Sequence, residues 1–247
     1  MVEPIAACWL VRGKSTATAM NSSLLQASTT AIHKRFYARP FTRALEHYQA
    51  TLILLSTGLI APAKVTLRAL LESVFTTRAV AADDDALRAF INDDLFQRQK
   101  LIRRGQQHDH PNLQELREAA SSDVIEGLEQ QIKASGAKPL KTEELSKLAG
   151  MHDWYTTNYA LLSKATHTNV RQLEAYLSLD EFGEIRGFTY APSMEEIPHL
   201  ILTAAHCILL GAAAVAETFE IDFQIKGNGH LKFVEAGFRS LNEGPAA

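Results

Sequence analysis

The chain is 247 residues long, 46% hydrophobic and 21% charged, with a formal net charge of -3 at pH 7. That length lies at the upper end of what one hydrophobic core supports, and that composition builds a core without disulfides or metal. Mild acidity excludes a surface coated for duplex nucleic acid while leaving room for a local basic patch. The two cysteines, Cys8 and Cys207, read most simply as free thiols in a reducing compartment.

Near the N-terminus, Ile5 to Val11 is apolar, but no basic region precedes it. It makes a poor signal peptide and is too short to span a bilayer. A longer apolar run, Leu200 to Val215, is interrupted by His206 and followed by Glu217. It reads as a buried core helix rather than a membrane span. The expected address is the cytoplasm, with no membrane partner.

Helical spacing recurs along most of the chain, which predicts an all-α bundle of seven to eight helices. A first helix is predicted over Ala17 to Arg35. Pro40 opens a second that Gly58 closes, as proline suits a first turn and glycine a terminus. After a turn through Pro62, a third helix runs from Ala63 to Ala82. Asp83, Asp84 and Asp85 start a fourth, which reaches Gln107 and ends in Arg98, Lys100, Arg103 and Arg104, charges that suit the two ends of its dipole. His108 to Pro111 is a loop.

A polar helix is predicted from Asn112 to Ser135, with a break near Ala119 to Ser122 and a stop at Gly136. A short helix begins at Thr142 and ends at Gly150, and a longer one spans Asp153 to Leu177. Between residues 180 and 191 the pattern alternates around Gly183 and Gly187, which predicts a small β-hairpin or an ordered loop. Ser193 and Glu196 match a capping box opening a last apolar helix to Phe219. Residues 1–225 are expected to form one domain and 226–247 a partly flexible tail.

Two segments carry candidate chemistry. In Val65 to Phe75, Arg68 and Glu72 stand one turn apart on a face crowded by apolar residues. A buried pair of this kind is a weak stabiliser, yet removing one partner costs roughly 3–5 kcal/mol, so it serves as a structural clamp or a site. Further along, Tyr159, Ser163 and His167 repeat every four residues and share a helix face, where His167 can act as general acid or base or fix a helix crossing. Arg68, Glu72 and His167 are therefore the candidate catalytic set, and Tyr155, Tyr159 and Ser163 the candidate ligand-binding set.

An Arg-x-x-x-Glu helix followed by Tyr-x-x-x-Ser-x-x-x-His resembles a bacterial all-helical domain-of-unknown-function family, number five-six-seven-seven. The resemblance covers Phe41 to Val215 and implies an all-helical fold without an assigned activity. It marks Arg68, Glu72, Tyr159, Ser163 and His167. A second likeness is to helical ribonucleases of the HEPN class, on the spacing of Arg103 and His108, with Arg98, Lys100 and Arg104 as phosphate contacts. That class implies a homodimer acting on RNA, although it usually has a polar residue where Arg104 follows Arg103.

Glu196 and His199 form one Glu-x-x-His, but di-iron bundles need that motif twice with two further carboxylates. Neither metal nor cofactor is expected. The function expected is an accessory or defence factor with a metal-independent ribonuclease-like site. The alternative is a non-catalytic binding module in which Arg68 and Glu72 are structural or hold a small polar ligand.

Overall fold

A computed structural model describes residues 32–136, 138–167, 173–189, 195–221 and 224–243. The architecture is all-α with one small hairpin. The core is built from α1 (Ile32–Ser56), α2 (Ile60–Ala82) and α9 (Ile197–Thr218). On α1 the buried positions Phe41, Ala44, Leu45, Tyr48, Leu52 and Leu55 recur at three- and four-residue steps, the stripe of a helix that faces a core on one side. Pro40, expected to open a helix, lies inside α1. A proline there removes one backbone bond and crowds the preceding turn, and the stripe that starts at Phe41 holds the helix immediately past it. The predicted helix over residues 17–35 falls mostly outside the described residues.

The middle element, α2, is buried on most of its circumference, including Ser73, Thr76 and Thr77. Their hydroxyls donate to the carbonyls of Ala69, Glu72 and Ser73 at 2.9, 2.9 and 2.7 Å, so the polar atoms enter the core satisfied. Pro62 lies within the first turn of α2, where its missing N–H has no helical partner to lose. Gly211 of α9 permits close approach: a Cβ there would stand 3.2 Å from both Phe41 and Val74. α9 is long and apolar enough to cross a membrane, but 67% of its apolar window is buried inside the protein. Cys207 is free and fully buried on it. Cys8 lies outside the described residues.

The outer elements follow in order. α3 (Asp84–Gln107) is capped by Asp83, whose carboxylate accepts from the N–H of Asp85 at 3.0 Å. The expected break at Ala119 to Ser122 separates α4 (Gln114–Ala119) from α5 (Ser122–Ser135), which ends at Gly136 with φ 60°. α6 (Thr142–Leu148) leads to a helix in three pieces: α7 (His152–Trp154), a π-helical turn (Tyr155–Tyr159) and α8 (Ala160–Ala165). This helix stops well short of Leu177. Instead Glu174–Tyr176 is a 3-10 turn, and β1 (Leu177–Leu179) pairs antiparallel with β2 (Ile185–Phe188).

α9 begins at Ile197 with Glu196 as its N-cap residue, and the Ser193 half of the expected capping box lies outside the described residues. Glu196 pairs with Lys64 at 2.6 Å, tying the start of α9 to α2. Of residues 226–247, expected as a partly flexible tail, those up to Glu243 belong to α10 (Gln224–Glu243). It lies against α9 through buried Val234 and through Phe238, which meets His199 edge-on at 5.4 Å. Arg78 fastens the layers together, donating to the carbonyls of Ala149 at 3.0 Å and Leu210 at 3.2 Å.

Candidate functional site

Arg68 and Glu72 sit one turn apart on α2, as their spacing requires, with Nη2 3.0 Å from Oε1. The third member comes from the π-helical turn. The hydroxyl of Tyr159 accepts from Arg68 Nη2 at 2.7 Å and donates to Glu72 Oε1 at 2.7 Å. The same guanidinium lies 4.9 Å from the Tyr159 ring centroid, within range of cation–π attraction. One phenol thus joins both charges in a closed triangle.

The triangle is half sheltered. Tyr159 is buried, while the side chains of Arg68 and Glu72 keep 31% and 39% exposure, so both charges reach solvent at the edge of the core. Desolvation, and secondly the bond to Glu72, hold the Tyr159 phenol above its ordinary pKa. It remains a protonated donor at neutral pH. Arg68 Nε is buried with no hydrogen-bond partner among the described residues.

An aromatic stack supports the phenol. Tyr155 lies parallel to Tyr159 at 5.1 Å, and His152 is stacked on Tyr155 at 6.0 Å. Phe75 of α2 meets the Tyr159 ring at 6.2 Å from within the core. A π-helical turn inserts an extra residue into the ladder and is frequent at functional sites. Here it bears both tyrosines.

Of the residues marked in the sequence, Arg68, Glu72, Tyr159 and Tyr155 come together. Ser163 donates its hydroxyl to the Tyr159 carbonyl at 2.8 Å, within its own helix. His167 lies beyond the end of α8, exposed, and is bonded to none of the triangle. Arg103 is 4.0 Å from Glu129 on α5, and no hydrogen bond joins it to His108. Both are exposed.

An imidazole that the sequence did not single out approaches from α1. His47 Nε2 accepts from Arg43 Nε at 3.4 Å. Its backbone carbonyl accepts from the Thr51 hydroxyl at 2.8 Å, and Thr51 shares a hydrogen bond with Thr66 of α2 at 2.9 Å. Burial, then Arg43, lowers the His47 pKa, whereas Glu46 and Glu72 act in the opposite direction. His47 is therefore a neutral imidazole on the Glu72 side of the site. A histidine four residues after an arginine was its only mark in the sequence. Among the described residues no three His, Cys, Asp or Glu side chains gather as a ligand set for a metal.

The model of a family of unknown function (DUF5677) matches residues 37–185, more than half of the chain. The chain belongs to that family. The matched stretch begins close to Phe41 and includes α2, the π-helical turn and α8, so the whole triangle lies inside it. It stops short of Val215 and leaves out α9 and α10. No curated protein and no solved structure matches the chain.

Proposed function

We propose that the chain is a binding module that holds a small polar ligand against Arg68 and Glu72. The observation that carries this reading is the doubly bonded phenol of Tyr159, which fixes both charges in place before any ligand arrives. Preorganisation of that kind lowers the ordering cost of binding. The Arg68 fork and the Glu72 carboxylate both keep solvent access. Together they offer donors beside an acceptor, the complement of a ligand edge that carries an acceptor next to a donor, such as a nucleobase or an amide.

Nothing in the cluster is arranged as an activated nucleophile. The Ser163 hydroxyl is spent on a helix carbonyl, and the Tyr159 proton is held more firmly than in free tyrosine. A binding role fits those two states better than covalent or proton-transfer chemistry.

Thermal-shift measurements against nucleosides, nucleotides, amides and amino acids test the reading. A ligand that stabilises the wild type should stabilise Glu72→Gln and Tyr159→Phe far less. An absence of shift with every compound overturns the proposal. Cleavage of total RNA by the purified protein, lost in Arg103→Ala or His108→Ala, would put the ribonuclease reading in its place.

A further inference from the structure

Both hydrogen bonds of the triangle fall on a single atom of each charged partner. Tyr159 bonds Arg68 through Nη2 and Glu72 through Oε1, and the ion pair joins the same two atoms. Nη1 and Oε2 take no hydrogen bond among the described residues. Nε is the nitrogen of the fork that is both buried and unpartnered, so Nη1 and Oε2 open to solvent. The site therefore presents one donor group beside one carboxylate acceptor, on a planar guanidinium already held through Nη2.

Three properties of that pair narrow what it holds. Its two charges cancel. An anion that pairs with Nη1 meets Glu72, and a cation that pairs with Oε2 meets Arg68. Like-charge contacts of that kind are costly, so the ligand edge is neutral. The edge must also carry its acceptor and its donor on one side. A peptide amide is trans, with oxygen and N–H on opposite sides of the bond, and cannot span the pair. An amide closed into a six-membered ring is held cis and turns both atoms the same way. The third property is that Oε2 belongs to an ionised acceptor, which makes the stronger class of hydrogen bond and gains most from an acidic N–H. The ring N–H of an oxo-base is a stronger acid than the aryl amine of adenine or cytosine, or than a primary amide.

We infer that the ligand of this site is a cis-lactam ring, such as the keto edge of uracil, hypoxanthine or guanine. Its carbonyl oxygen accepts from Arg68 Nη1 and its ring N–H donates to Glu72 Oε2. The inference rests on the binding reading above and narrows it to one chemical class. Val65 stands one turn before Arg68 on the same face of α2 and is exposed. It gives the flat ring an apolar neighbour, which a primary amide without a ring would not use.

Thermal-shift titration of the wild-type full chain decides, so no variant has to fold for the main comparison. Uridine and inosine are expected to raise the melting temperature as ligands of the folded state. N3-methyluridine and N1-methylinosine carry a methyl group in place of the ring N–H. They should bind about 10- to 100-fold more weakly, the cost of a lost bond to a charged group. A uridine oligonucleotide that binds where uridine does not supports the same edge and moves its source to a nucleic-acid strand. Equal binding of the N-methyl compounds overturns the inference. So does binding of adenosine or nicotinamide, lost in Glu72→Gln, with none of the lactams bound; that outcome leaves the binding reading standing. No shift with any compound overturns both.

Discussion

The hydroxyl of Tyr159 donates to the carboxylate of Glu72 at 2.7 Å across 87 residues of chain. Because the same oxygen also accepts from Arg68, the phenol decides whether the α2 pair is a fixed fork or two mobile side chains. Tyr159→Phe keeps the ring against Phe75 and Tyr155 while deleting both bonds. The expected loss is about 1–2 kcal/mol in urea unfolding with an unchanged slope. A loss near zero would show that the triangle does not hold the two helices together.

Arg68→Ala tests how deeply the pair is buried. A fully buried pair stripped of one partner costs roughly 3–5 kcal/mol. Here Glu72 is 39% exposed, so water solvates the stranded carboxylate and the Tyr159 bond to it survives. A loss of about 1–2 kcal/mol is therefore expected. A measured loss at the upper figure would mean that the carboxylate is sealed from solvent.

Arg68 and Glu72 were legible in the sequence because a four-residue step on an apolar helix needs no tertiary information. Tyr159 was legible as a residue of interest on a helix face, but its bond partners were not. Those depend on a π-helical turn, whose longer backbone bond has no residue signature. His167 shares a face with Ser163 only if the helix continues, and that helix ends at Ala165. His47 carries no motif, and only the packing of α1 on α2 brings it toward Glu72. At fold level the break at Ala119 to Ser122 and the stop at Gly136 followed from serine and glycine chemistry. Pro40 misled, because a proline rule acts locally and the stripe from Phe41 onward outweighs it.

Two histidines set an acid limit on stability. Burial lowers the pKa of His206 and, with Arg43, that of His47, from 6.5. Both are therefore neutral in the fold, while the unfolded chain takes up protons as the pH drops through about 6.5. The unfolded state then binds more protons, so this stability is fully present above that point and is lost as pH falls through the lowered folded values. The melting temperature should decline from pH 7.5 to pH 5.5. His206→Gln should flatten the slope whatever it does to the level, and an unchanged slope would remove His206 from the account.

A pair of glycines, both mid-helix, should respond with opposite signs to the same substitution. Alanine is favoured over glycine in a helix interior by about 1 kcal/mol. At Gly127 a methyl group meets nothing within 4 Å, so Gly127→Ala should stabilise the protein by about 0.5–1 kcal/mol. At Gly211 the methyl would stand 3.2 Å from Phe41 and from Val74, which are 1% and 0% exposed and have no room to retreat. Crowding a packed core costs about 1–3 kcal/mol, which exceeds the gain in helix propensity. Gly211→Ala should therefore destabilise by about 1 kcal/mol net, and Gly211→Val by more. Chemical denaturation of the two alanine variants side by side reads the difference directly. Two stabilising substitutions would show that α9 does not approach α1 and α2 as closely as Gly211 requires.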